Sequence, residues 1–309
     1  MSTRQIQLWA SPRRILLATG LVDLKFTLPV AIRQALTYKA ELKIVHVLPD
    51  AAAPVVDPVL MMYSDPDRMR RTAEEELKSA AEQAETAGVS CGYQLVSGNV
   101  VNELIEIAAQ WKAERIVAGS HGKSKHHMHM LGSAAESIFH RSEVPVLAVG
   151  PKVVQRTLGP NDRMRIVFAT KLDQGARRIA EFALSVAENH QADVWMVHVV
   201  TNVVQEHPTA GPVRAYASRM MQDLIRENNV RKCNPVCDVV YGPAVESILA
   251  YAARQSADMI VMGASAHSAF DARFIPGTAY RVLCDSARPV LVLKQESVWV
   301  QKGLTAEAI

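Results

Sequence analysis

The sequence predicts an α/β protein built from two tandem, doubly wound, five-stranded parallel sheets. Three observations carry that expectation. Short apolar runs without polar alternation are separated by amphipathic helical patterns, as in sheets covered on both faces. The same landmarks occur twice in the same order. The length of 309 residues suits two domains of ordinary size, and a composition 49% hydrophobic gives each a core.

In the first half, apolar runs at 15–19, 42–48, 93–96, 116–119 and 144–149 predict five strands. Between them lie predicted helices over 28–39, 67–87, 101–111 and 133–141. The second of these carries an apolar stripe of Met69, Ala73, Leu77, Ala80 and Ala84 at helical spacing. The second half repeats the pattern. Arg14-Ile-Leu-Leu-Ala-Thr19 pairs with Arg165-Ile-Val-Phe-Ala-Thr170, and Val45-His46-Val47 with Val197-His198-Val199. Arg115-Ile-Val-Ala-Gly119 pairs with Met259-Ile-Val-Met-Gly263, and Val144-Pro-Val-Leu147 with Arg288-Pro-Val-Leu291. A period this long is a domain rather than a solenoid repeat. The expected organisation is a first domain over 1–150, a linker over 151–163 with prolines near both ends, and a second domain over 164–309. The closing strands of the two halves would be exposed apolar edges unless they meet, which predicts a pseudo-twofold pair of halves within the chain.

Charge and composition exclude several function classes. A net charge of +3 with no concentrated basic face argues against nucleic-acid binding. The first residues lack a signal peptide's apolar core and no run reaches membrane-spanning length, so the expected location is the cytoplasm. Cys91, Cys233, Cys237 and Cys284 are scattered and suit a reducing compartment. The Cys233–Cys237 pair has no companion pair to complete a metal site.

The most informative stretch is Gly119-Ser-His121-Gly122, followed by Gly132-Ser133. A strand feeding a glycine-marked turn and then a helix start collects unpaired backbone N–H groups beside the positive end of a helix dipole, which favours a phosphate. Ser133 adds a hydroxyl that caps the helix or donates to the phosphate. Gly122-Lys123-Ser124 imitates the end of a P-loop, but Val117 stands where its leading glycine belongs. His121, His126, His127 and His129 crowd the same loop without the helix-face spacing of a catalytic metal site, and no metal is expected there. No nucleophile elbow or paired carboxylate marks a catalytic centre. A binding module is expected ahead of an enzyme.

With these residues in place, nearly the whole chain resembles the universal stress protein family in its tandem form, whose fold is Rossmann-like and of the adenine nucleotide α-hydrolase type. The family signature Gly-x2-Gly-x9-Gly-Ser/Thr is matched by Gly119, Gly122, Gly132 and Ser133. The resemblance implies ATP, with Mg²⁺, or a related adenine nucleotide as ligand. It implies phosphate and ribose contacts from the signature loop and an adenine contact from the valine ending the second strand. Carried over, the first site comprises Thr19, Gly20, Val47, Gly98, Gly119, His121, Gly122, Gly132 and Ser133. The second comprises Val199, Gly242, Gly263, Gly277 and Thr278. A role in stress response follows from the same resemblance, possible protein partners and homodimerisation with it. An adaptor without nucleotide is the alternative, and a hydrolase using the histidine cluster the third reading.

The sequence departs from the family twice. The aspartate usual after the first strand is Gly20 in one half and Lys171 in the other, and Asp23 and Asp173 substitute only if the loop bends back. The second half also carries Ala266 for the second glycine and one extra residue before Gly277. These departures lead to the expectation that nucleotide is confined to the first half.

Overall fold

A computed structural model describes residues 3–49, 65–120, 133–156, 162–201, 205–228, 232–265 and 277–295. In chain order the first half comprises α1 (Thr3–Ala10), β1 (Arg14–Ala18), α2 (Leu24–Tyr38), β2 (Glu41–Pro49), α3 (Pro66–Thr86), β3 (Cys91–Gly98), α4 (Val100–Gln110), β4 (Arg115–Gly119), α5 (Ser133–Arg141) and β5 (Val146–Val149). The second comprises β6 (Arg165–Ala169), α6 (Ala176–His190), β7 (Asp193–Val200), α7 (Ala210–Glu227), β8 (Val236–Tyr241), α8 (Ala244–Arg254), β9 (Met259–Ser265), α9 (Thr278–Asp285) and β10 (Val290–Gln295).

All ten strands form one sheet in the order β3-β2-β1-β4-β5-β10-β9-β6-β7-β8. Every pairing is parallel except the central one, where β5 meets β10 antiparallel with Leu147 opposite Leu291. That reversal relates the halves by a pseudo-twofold axis, as the apolar edge argument predicts. It also hides both edges, since Leu147 and Leu291 are wholly buried.

The helices cover both faces. One core runs unbroken through both halves and joins Leu17 of β1, Leu77 of α3, Leu147 of β5, Phe168 of β6, Phe182 of α6 and Leu291 of β10. On the opposite face each half has its own cluster, and Phe139 of α5 packs against both.

Three helices differ from the sequence expectation. The helix α1 was not anticipated; its Ile6, Trp9 and Ala10 are buried against the rest of the chain. α2 begins at Leu24, four residues earlier than predicted, and carries Pro29 inside it. The stripe of α3 buries Ala73, Leu77, Ala80 and Ala84, but Met69 is exposed in the first turn, before the helix reaches the sheet.

Candidate functional site

The C-terminal strand ends of each half form the crevice expected of a doubly wound sheet. In the first half, Thr19 and Gly20 follow β1, Val47 is buried near the end of β2, Gly98 closes β3 and Gly119 closes β4. Ser133 opens α5. His121, Gly122 and Gly132, with the histidine cluster, lie outside the described residues. Among those described, no group of three or more His, Cys, Asp or Glu side chains is placed to hold a metal ion.

The loop after β1 does bend back. Leu21 adopts a left-handed φ of 68°, which turns the chain so that the buried Asp23 faces the strand end. Its Oδ1 accepts from the Thr19 hydroxyl at 2.5 Å and from the Gly20 amide at 3.0 Å, while Thr19 Oγ1 accepts from Leu21 N at 2.9 Å. Burial pushes the Asp23 carboxyl above its usual range, partly offset by those hydrogen bonds and by His46. The second carboxylate oxygen of Asp23 lies against Gly119, 2.2 Å from where a Cβ would sit. Gly119 therefore admits a carboxylate of the protein itself. Glu103 lies similarly against Gly98, whose φ of +151° calls for glycine. Among the described residues, two acidic side chains thus line the first crevice.

The second half repeats the backbone with different charges. Leu172 takes the left-handed place of Leu21 with a φ of 58°, so Lys171 replaces Gly20 without strain at that position. Gly175 is the N-cap where Asp23 capped α2, and Asp173, exposed at the crevice, accepts from Gly175 N at 3.1 Å. Gly242, with φ +133°, faces Ser247 where Gly98 faces Glu103. The histidines are alike in both halves. His46 Nδ1 bonds the Thr19 carbonyl at 2.8 Å and His198 Nδ1 the Thr170 carbonyl at 2.9 Å, tying β2 to β1 and β7 to β6.

A cavity of about 530 Å³ occupies this second crevice. Thr170, Lys171, Val199, Gly263, Gly277 and Thr278 line it, whereas Gly242 does not. Gly277 is the N-cap of α9 in an extended conformation and Thr278 is the first helical residue, so the open N–H groups of that helix start at the cavity wall. Among the lining residues that the sequence reading missed are Phe139, His140 and Lys294. The first two come from α5 of the other half, brought there by the β5–β10 reversal. Lys294 Nζ donates to the His140 carbonyl at 2.7 Å, closing the wall between the halves. Its sequence signal was an asymmetry, because Gly150 follows β5 where Lys294 continues β10.

The comparisons with known proteins can be set beside this geometry. The model of the universal stress protein family matches residues 12–150 and again 163–294. A curated universal stress protein of Methanocaldococcus jannaschii is 35% identical over 81 residues, 26% of this chain and 48% of that protein. The chain thus spans about half the length of that relative. A solved universal stress protein from Archaeoglobus fulgidus superposes with a TM-score of 0.70 at 23% identity, over 94% of this chain and 99% of that one. A second, from Pseudomonas aeruginosa, gives a TM-score of 0.57 at 16% identity, over 93% and 94%. At these identities the two structures establish the fold.

Proposed function

Because this chain belongs to the universal stress protein family, we propose that it is a nucleotide-binding stress protein whose adenine nucleotide occupies the second-half cleft. The observation that carries the proposal is the charge of that cleft. Lys171 and Lys294 line it with the N-terminus of α9, so two cations, against the single carboxylate of Asp173, and a helix start face the space a phosphate chain would take. Val199, next to last in β7 and on the cavity wall, is the residue to which this reading assigns the family's adenine contact. Mg²⁺ would enter with the phosphates. The first crevice presents Asp23 and Glu103 instead, and two carboxylates repel a phosphate. This assignment reverses the sequence expectation, which favoured the first half on its intact glycine spacing.

The proposed role is binding rather than turnover. Lysines that neutralise bound phosphates stabilise the ground state as much as any transition state, which lowers a dissociation constant without accelerating cleavage. A function in stress response is carried over from the family as part of the same proposal. A cytoplasmic setting and the division of the chain at 151–163 enter it from the sequence.

Titration calorimetry with ATP and Mg²⁺ tests it on the full chain with Lys294→Met and Gly122→Val. Loss of one charge-assisted contact predicts about tenfold weaker binding in Lys294→Met and none of that loss in Gly122→Val. Absence of binding by the unaltered chain would refute nucleotide binding. Loss confined to Gly122→Val would return the nucleotide to the first half.

A further inference from the structure

The helix α1 breaks the pseudo-twofold symmetry. It rests on α6 and β4 through three hydrogen bonds: Gln7 Nε2 donates to Ser185 Oγ at 3.3 Å, Asn189 Nδ2 to the Ala10 carbonyl at 3.1 Å, and Arg115 Nη2 to the Trp9 carbonyl at 2.9 Å. The counterparts of those three anchors in the other half can be identified. α2 and α6 end alike at left-handed caps, Lys39 and Gln191, so counting back pairs Ser185 with Arg33 and Asn189 with Thr37. Arg115 and Met259 are both the first residue of their strands. Arg33, Thr37 and Met259 all line a second cavity of about 420 Å³, remote from the nucleotide cleft. The seat that α1 fills on one side of the axis is a cavity on the other.

The walls of that cavity specify chemistry. Its apolar side is made by Val30, Leu147, Met164 and Met259. Its negative groups are engaged: Asp258 accepts from Arg156 at 2.9 and 3.1 Å and from Arg165 N at 2.9 Å, and Asp162 lies 3.9 Å from the same guanidinium. Arg33 is half-buried, and among the described residues no hydrogen bond or ion pair holds its guanidinium. Burial lowers its tendency to stay charged, which Asp258 partly offsets. Behind Gln34 lies a further cation, the wholly buried Arg115. It donates to Gln34 Oε1 at 2.5 Å, stacks on Tyr38 at 4.9 Å and has an unpaired Nε. His190, at the edge of the cavity, is pushed down to about 4 by burial and by Arg115, so it is neutral and adds no charge. The lining itself carries Arg33 against Asp162 and Asp258; Arg156, which pairs with both aspartates from outside the lining, and the buried Arg115 bring the neighbourhood to three arginines against two aspartates.

We propose that this inter-half cavity binds a small carboxylate with an apolar body, its carboxylate paired with Arg33 and its body against Val30, Leu147 and Met259. A planar guanidinium matches a carboxylate through two parallel hydrogen bonds, and the cavity volume falls within the range of small-molecule sites. The inference is independent of the nucleotide reading.

Ligand-observed NMR and calorimetry on the full chain test it with phenylacetate and octanoate as probes and phenylacetamide as the neutral control. Saturable binding is expected, about tenfold or more weaker for the amide and for phenylacetate with Arg33→Gln, whose site on the helix surface tolerates the change. Val30→Phe should also weaken binding by filling the cavity. Lys294→Met should leave it unchanged. Dissociation constants above about 10 mM for both carboxylates, equal binding of acid and amide, or full affinity in Arg33→Gln would overturn the proposal. Loss in Lys294→Met alone would place the carboxylate in the nucleotide cleft and overturn it equally.

Discussion

Gly119 and Asp23 are coupled as a pair. A Cβ at Gly119 would stand 2.2 Å from Asp23 Oδ2, so the buried carboxylate would have to leave a pocket in which it accepts two hydrogen bonds. Gly119→Ala should cost about 1–3 kcal/mol through overpacking and lost hydrogen bonds. In an Asp23→Gly background the same substitution should cost far less, because the clashing group is gone. A double-mutant cycle read by denaturant midpoint measures the difference, and additive costs would show that the pair does not interact. The sequence showed the glycine and the aspartate separately and could not join them. Their contact depends on the left-handed turn at Leu21, a residue type that gives no sign of it. Phe139 and His140 were similarly hidden. Their place at the second cleft depends on α5 arriving from the other half, which no local pattern encodes.

At the scale of elements, the strands legible in the sequence were the central ones. Residues 15–18 and 116–118 are apolar throughout because both faces are covered, and the structure places β1 and β4 there. The outermost strand β3 was read short. It pairs with β2 from Cys91 to Gly98, yet as an edge it exposes Gly92, Tyr93 and Ser97, which break the apolar run. α1 was missed because it is brief and polar on most sides. Ile6, Trp9 and Ala10 at helical spacing were its available signal. Its importance is greater than its length suggests, since Trp9 is 4% exposed and its carbonyl receives the buried Arg115. Trp9→Ala should destabilise the fold by about 3–5 kcal/mol, visible as a lower urea midpoint. A shift below about 0.5 kcal/mol, the range of ordinary surface changes, would show that α1 is merely draped on the surface.

For the whole molecule, the antiparallel pairing of β5 with β10 decides how the halves behave. They share one continuous core as well as one sheet, so they should unfold together. Expressed alone, residues 163–309 would present β10 as a long apolar edge. We expect that fragment to dimerise through β10, with sedimentation showing twice the fragment mass. A folded fragment that stays monomeric at high concentration would mean that the edge is not what holds the halves together.

Covalent joining changes what dilution can do. Two separate chains meeting along such an edge would obey mass action and come apart when scarce. Here the linker holds the partners at an effective concentration on the order of millimolar or more, whatever the amount of protein present. A wall built from Phe139 and His140 of one half and Lys294 of the other therefore persists in a single molecule. Changes in copy number then alter how many clefts there are, without altering whether each one is complete.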